Sequence, residues 1–125
     1  MTQTAIIVLS DPAHGGEEAL GRCFNALAMA YDLKKRGRPV EVFFQGAGTR
    51  WAGTLQDPKH PVHSLFKAVE DTVRGASCAC ADVFGAREGV EKSGMRLVQG
   101  NPVPGTSGLP SVAGLVADGY AVLTF

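Results

Sequence analysis

Charge of one sign is missing from this sequence. Lys and Arg total 12 and Asp and Glu total 12, so the formal net charge is zero. A chain without a positive excess gains little from the field of nucleic acid or of an anionic bilayer, and neither is expected as a partner. Long apolar runs are missing too, and none approaches the roughly 20 residues that cross a bilayer. The opening Met1-Thr2-Gln3-Thr4 carries no basic stretch and leads into a run too short for the apolar part of a secretion signal. Cysteine is scarce and odd in number, at Cys23, Cys78 and Cys80. These absences predict a cytoplasmic chain with free thiols rather than a disulfide scaffold.

What is present is enough for one domain over residues 1–125. A chain of this size buries roughly two-thirds of its unfolded surface, so a core forms without a structural metal. Apolar residues make up 45% of it, which excludes compositional disorder. Glycine is the outlier at 16 residues, and so many imply turns and close backbone approaches.

Ala5-Ile6-Ile7-Val8-Leu9 is an unbroken apolar run stopped by Ser10-Asp11-Pro12, the pattern of a strand buried on both faces. Glu17 to Arg36 reads as a helix, with Leu20, Cys23, Phe24, Leu27 and Tyr31 at helical spacing. Glu17 and Glu18 in its first turn and Lys34, Lys35 and Arg36 in its last suit the helix dipole. Ala26, Met29, Ala30 and Leu33 form a second apolar stripe, and a helix apolar nearly all round predicts cover by a second copy of the chain. Val40 to Phe44 is the second strand, ended by Gly46-Ala47-Gly48. Trp51 and Leu55 anchor at most a short helix. Val62, Leu65, Phe66, Val69 and Val73 predict another helix, with Gly75 beyond its end. Ala76 to Ala81 is taken as the third strand, Val83 to Ser93 as a helix and Met95 to Val98 as the fourth strand. Gln99 to Pro110 is a loop. Ser111 caps a short helix carrying Val112, Leu115 and Val116, and Tyr120 to Phe125 is the last strand. Regular alternation of strand and helix predicts an α/β fold, with a parallel sheet and helices on both faces.

Ligands of such sheets sit beyond the C-terminal ends of the strands. Three segments converge there: Ser10 to Gly16 with Asp11 and His14, Gln45 to Trp51 with Gly46 and Gly48, and Ser77 to Asp82. Neither glycine turn has a dinucleotide or phosphate-loop signature, so each is a tight turn or a weak anion cradle. A thiol at the end of a buried strand, just before a helix, has a chemical use, because a helix N-terminus favours the nucleophilic thiolate. Cys80 is placed best, and Cys78, two residues earlier on an ideal strand, points to the same side. Asp82 opposes ionisation. The alternative is that both thiols are small core residues. Cys23 lies on an apolar stripe and reads as core. His60 and His63 with Asp57 fit no common zinc spacing, so no metal is expected. His14 assists a thiol if its loop folds over Cys80.

These residues carry a resemblance. The chain resembles the DsrE/DsrF-like proteins, small α/β domains that include sulfur-relay subunits. The features that resemble them are the Asp11-Pro12 turn, the Ala-rich helix leading to Gly37, and the Val40-Glu41-Val42-Phe43-Phe44 strand with its Gly46-Ala47-Gly48 turn. Cys80-Ala81-Asp82-Val83-Phe84-Gly85-Ala86 and Gly119-Tyr120-Ala121-Val122-Leu123-Thr124-Phe125 complete the set. The resemblance implies a three-layer α/β/α fold with a five-stranded parallel sheet, assembled as trimers or hexamers. It also implies a persulfide-carrying cysteine at the end of the third strand, matched here by Cys80 or Cys78. Relatives with two cysteines there often space them Cys-x-x-Cys, whereas here Ser77 stands three before Cys80.

The expected function is that of a sulfur carrier of sulfurtransferase type, without a cofactor. Cys80 would accept the sulfur, Cys78 would be accessory, and sulfur-donor and acceptor proteins would be the partners. Asp11, His14, Gly46, Gly48 and Asp82 would line the binding side. The alternatives are a non-catalytic oligomeric module for a small anion or nucleotide, and a thiol redox sensor.

Overall fold

A computed structural model describes all 125 residues. β1 (Thr4–Val8) is buried at all five positions, as its unbroken apolar run requires. It is the hub of the sheet. β2 (Val40–Phe44) pairs with it on one side and β5 (Ala121–Thr124) on the other, followed outward from β2 by β3 (Val73–Ser77) and β4 (Leu97–Val98). The order is β4-β3-β2-β1-β5 and every pairing is parallel.

That order fixes the layers. From β1 to β4 the chain steps always in one direction, and right-handed crossovers then place every connecting helix on the same face. There α1 (Gly16–Lys35), α2 (Trp51–Thr54), α3 (His63–Val69), α4 (Cys78–Val83) and α5 (Arg87–Ser93) cover the larger core. Ile6, Val8, Val42, Phe44 and Ala76 meet Leu27, Trp51, Phe66, Ala81 and Val90 in it. The return from β4 to β5 crosses the other face, which carries only α6 (Val112–Ala117). Its Val112 and Leu115 cover Ala5, Ile7 and Phe43. No helix is long and apolar enough to cross a membrane.

Four expectations need correction. The buried face of α1 is Ala19, Cys23, Ala26, Leu27 and Ala30, while Phe24 is 50% and Tyr31 40% exposed. The small side chains face the sheet because they let the helix axis approach it; aromatics there would hold it off. Further on, the helix expected to run to Val73 ends at Val69, and a 3-10 turn (Glu70–Thr72) leads into a strand that starts at Val73. Gly75 lies within that strand rather than beyond a helix. The third strand therefore ends at Ser77, not Ala81, and Cys78 opens a helix. Alanine is a weak strand former, and the buried Ser77 hydroxyl accepts from the Cys80 N–H at 3.3 Å, capping a helix at that point. The helix expected over Val83 to Ser93 is likewise split. Gly85, at φ 67°, takes the left-handed turn that separates α4 from α5.

Candidate functional site

The boundary at Ser77 decides which thiol faces what. Cys78 is the first residue of α4, directly beyond the C-terminal end of β3, and its residue is 1% exposed. Two side chains donate to its sulfur: Arg87 Nη2 at 2.9 Å and Gln99 Nε2 at 3.4 Å. Arg87 stands at the start of α5 and Gln99 just after β4, so β3, α4, α5 and the following loop all meet at this atom. A guanidinium and an amide thus both aim N–H groups at one buried sulfur.

Arg87 is itself held. Its Nε donates to Asp82 Oδ1 at 2.6 Å and its Nη2 to Asp82 Oδ2 at 3.3 Å, a two-pronged grip. Ser107 Oγ donates to the same Oδ2 at 2.6 Å. The Arg87 bonds and then the Ser107 bond outweigh burial and hold the Asp82 carboxyl down to about 2. Arg87 is pushed further toward its charged form, chiefly by Asp82 and next by Cys78. The Gln99 to Gly108 segment closes over the sulfur. Gln99 Nε2 donates to Ser107 O at 2.9 Å, and Gly108 O accepts from Ala79 N at 2.8 Å.

Cys80 is partly exposed, and its backbone N–H caps onto Ser77. The two thiols do not point the same way as a strand would have placed them. Two residues apart on a helix they are rotated by roughly 200°, so a disulfide between them would require α4 to unwind. Cys23 is fully buried in the larger core, and burial pushes its thiol up to about 12, consistent with a packing role.

Asp11 and His14 form a second cluster beyond β1. Asp11 Oδ1 accepts from Ala13 N at 2.8 Å, and Oδ2 lies 3.0 Å from His14 Nδ1 and accepts from Arg50 Nη1 at 2.9 Å. Burial works against the Asp11 carboxylate, but the Ala13 N–H, His14 and Arg50 prevail and hold it at about 2. Arg50 Nε also donates to Phe84 O at 3.1 Å, tying this cluster to the end of α4. The hydrogen-bond partners of His14 are Asp11 and Arg50, not a cysteine. Gly46 opens the turn after β2 at φ 58°. Gly48 is required by packing, because a Cβ there would run into the Val8 carbonyl. The expected site residues thus fall into a Cys78 and Asp82 cluster and an Asp11 and His14 cluster, with the Gly46 to Gly48 turn packed on β1. His60 and His63 are engaged locally, His60 Nδ1 accepting from Val62 N and His63 Nδ1 bonded to Leu55 O.

The family model described as the DsrE/DsrF-like family matches residues 3–125. The chain belongs to that family. Among solved structures it is similar to a conserved protein of unknown function, BT1422 from Bacteroides thetaiotaomicron. The TM-score is 0.61 and the identity 16%, over 97% of this chain and 94% of that one. It is also similar to the ychN protein from E. coli, with a TM-score of 0.58 and 20% identity, over 99% of this chain and 100% of that one. Identities this low speak for the fold alone. No curated protein matches the chain.

Membership of the DsrE/DsrF-like family suggests sulfur-relay-like chemistry at the level of the family. Three side chains around the thiol escaped the sequence reading: Arg87, Gln99 and Ser107. Gln99 and Ser107 lie 21 and 25 residues from their partners Cys78 and Asp82, inside a loop without periodicity. Only the Asp82 to Arg87 spacing, across a glycine break, was available as a local signal, and it resembles any surface ion pair.

Proposed function

We propose that this protein is a sulfur carrier of sulfurtransferase type whose sulfur-bearing atom is Cys78 Sγ. The observation that carries this reading is the Arg87 guanidinium, 2.9 Å from that sulfur, with Gln99 as a second donor. A buried thiol that only filled space would need neither. Cys80, with no side-chain donor on its sulfur, is accessory.

The chemistry is two displacements. The Cys78 thiolate attacks the outer sulfur of a donor persulfide. A new S–S bond forms on Cys78, the donor's S–S bond breaks, and the donor leaves as a thiolate that takes up a proton. An acceptor thiolate then attacks the outer sulfur, and Cys78 leaves as a thiolate again. No net oxidation occurs and no cofactor takes part. Since Cys78 is 1% exposed, donor and acceptor reach it when the Gln99 to Gly108 segment moves aside. The protein works as a homo-oligomer in this reading, which the exposed Phe24 and Tyr31 on α1 support.

The experiment is mass spectrometry of the intact protein after incubation with a small-molecule persulfide. Wild type and Cys80→Ser gain one sulfur, and Cys78→Ser gains none. Undiminished loading of Cys78→Ser, or a wild type that takes up no sulfur, overturns the proposal.

A further inference from the structure

Asp82 sits four residues after Cys78 on α4, the spacing that brings two side chains onto one helix face. Taken as a bare charge, it repels a thiolate at Cys78. Its contacts describe a different role. Both of its oxygens are engaged by Arg87, through Nε at 2.6 Å and Nη2 at 3.3 Å, and the same Nη2 reaches Cys78 Sγ at 2.9 Å. A guanidinium is flat and rigid, so fixing Nε and Nη2 fixes the direction of the whole group. The carboxylate is in turn anchored by Ser107 Oγ at 2.6 Å, from the loop over the sulfur. Without Asp82, Arg87 is a long side chain, 40% exposed, with water as the competing partner.

We propose that Asp82 is a positioning residue: held by Ser107, it aims the Arg87 guanidinium at Cys78 and so favours the charged sulfur it would otherwise repel. This rests on Cys78 being the sulfur-carrying thiol for its biological use. The direct and indirect effects of Asp82 have opposite signs. As a naked charge its removal makes the thiolate easier to form, and as the support of Arg87 its removal makes the thiolate harder to form.

The experiment is a pH titration of thiolate ultraviolet absorbance in the Cys80→Ser protein, where Cys23, pushed up to about 12, stays silent through the neutral range. Asp82→Asn is expected to move the Cys78 midpoint up by about one unit, the small end of what one nearby charge does, and so to leave about tenfold less thiolate below the midpoint. Asp82→Ala, which removes both acceptor oxygens and suits a helix, gives at least as large a shift and serves if the Asn variant is poorly folded. In an Arg87→Gln background the upward shift disappears. A midpoint that stays or falls in both Asp82 variants overturns the inference, as does an upward shift that persists without Arg87. The titration reads the free thiol and the mass assay reads loading. A wild type that takes up no sulfur but shows the Asp82 shift removes the carrier reading and leaves the positioning intact; loading without the shift does the reverse.

Discussion

Gly48→Ala and Gly21→Ala are the same chemical change with opposite expected signs. At Gly48 an added Cβ would overlap the Val8 carbonyl oxygen and stand 3.0 Å from its carbon and 3.3 Å from Leu9 C. Carbon atoms in contact normally sit about 3.5–4.0 Å apart, so the turn or the strand must give by roughly half an ångström or more. β1 has no room to give, because it is paired on both sides and Val8 is fully buried. Val8 O also accepts from Gln45 N at 3.0 Å, and moving the turn stretches that bond. Overpacking of this kind costs about 1–3 kcal/mol, against about 0.4–1 kcal/mol gained by restricting the unfolded chain. The expected net loss is about 1–2 kcal/mol. Gly21 lies inside α1 with open space where its Cβ would go. Alanine there should stabilise by about 0.5–1 kcal/mol. Urea unfolding followed by the fluorescence of Trp51, the single tryptophan, measures both. Thermal midpoints should diverge by roughly 3–5 °C per kcal/mol. A Gly48→Ala protein as stable as wild type, or a Gly21→Ala protein as destabilised as Gly48→Ala, refutes the packing argument for the turn beside the site.

Two further outcomes follow from the same geometry. The carboxyls of Asp11 and Asp82 are held at about 2, below their ordinary 3.8, so the stability they lend is complete above about pH 4 and is lost as pH falls toward 2. The urea midpoint should therefore drop over that window, and Asp11→Asn and Asp82→Asn should each flatten the drop; an unchanged slope in both would show that neither is linked to folding. Ser77→Ala removes the cap of α4 and should cost about 1 kcal/mol. Faster amide exchange at Cys80 and Ala81 is the local signature, and unaltered exchange there would mean the cap is idle.

Much of the fold was legible because its signals are local. β1 announces itself by five apolar residues in a row, α1 by its period and its charged ends, and α6 by Ser111, whose hydroxyl does accept from Gly114 N at 3.2 Å. The errors lie where local preference is nearly neutral. Val69 and Val73 fit a helix by spacing, but Val73 is claimed by pairing with Val42 in the sheet. The segment Ala76 to Ala81 has no side chain large enough to declare a period, so only the partner strands and the Ser77 cap set where strand ends and helix begins. That boundary, a shift of four residues, moved the candidate thiol from Cys80 to Cys78.

Composition and pattern by themselves determined the class of fold, its parallel sheet, and the strand end at which a thiol stands. Tertiary structure alone decided which thiol is held by a guanidinium and an amide. Arg87, Gln99 and Ser107 come from a helix and a loop that reach Cys78 and Asp82 only because β4 lies beside β3 and the chain must then cross the sheet to β5. A hydrogen bond depends on distance in space, and nothing in the period or propensity of a loop records the strand order that brings its residues to a sulfur.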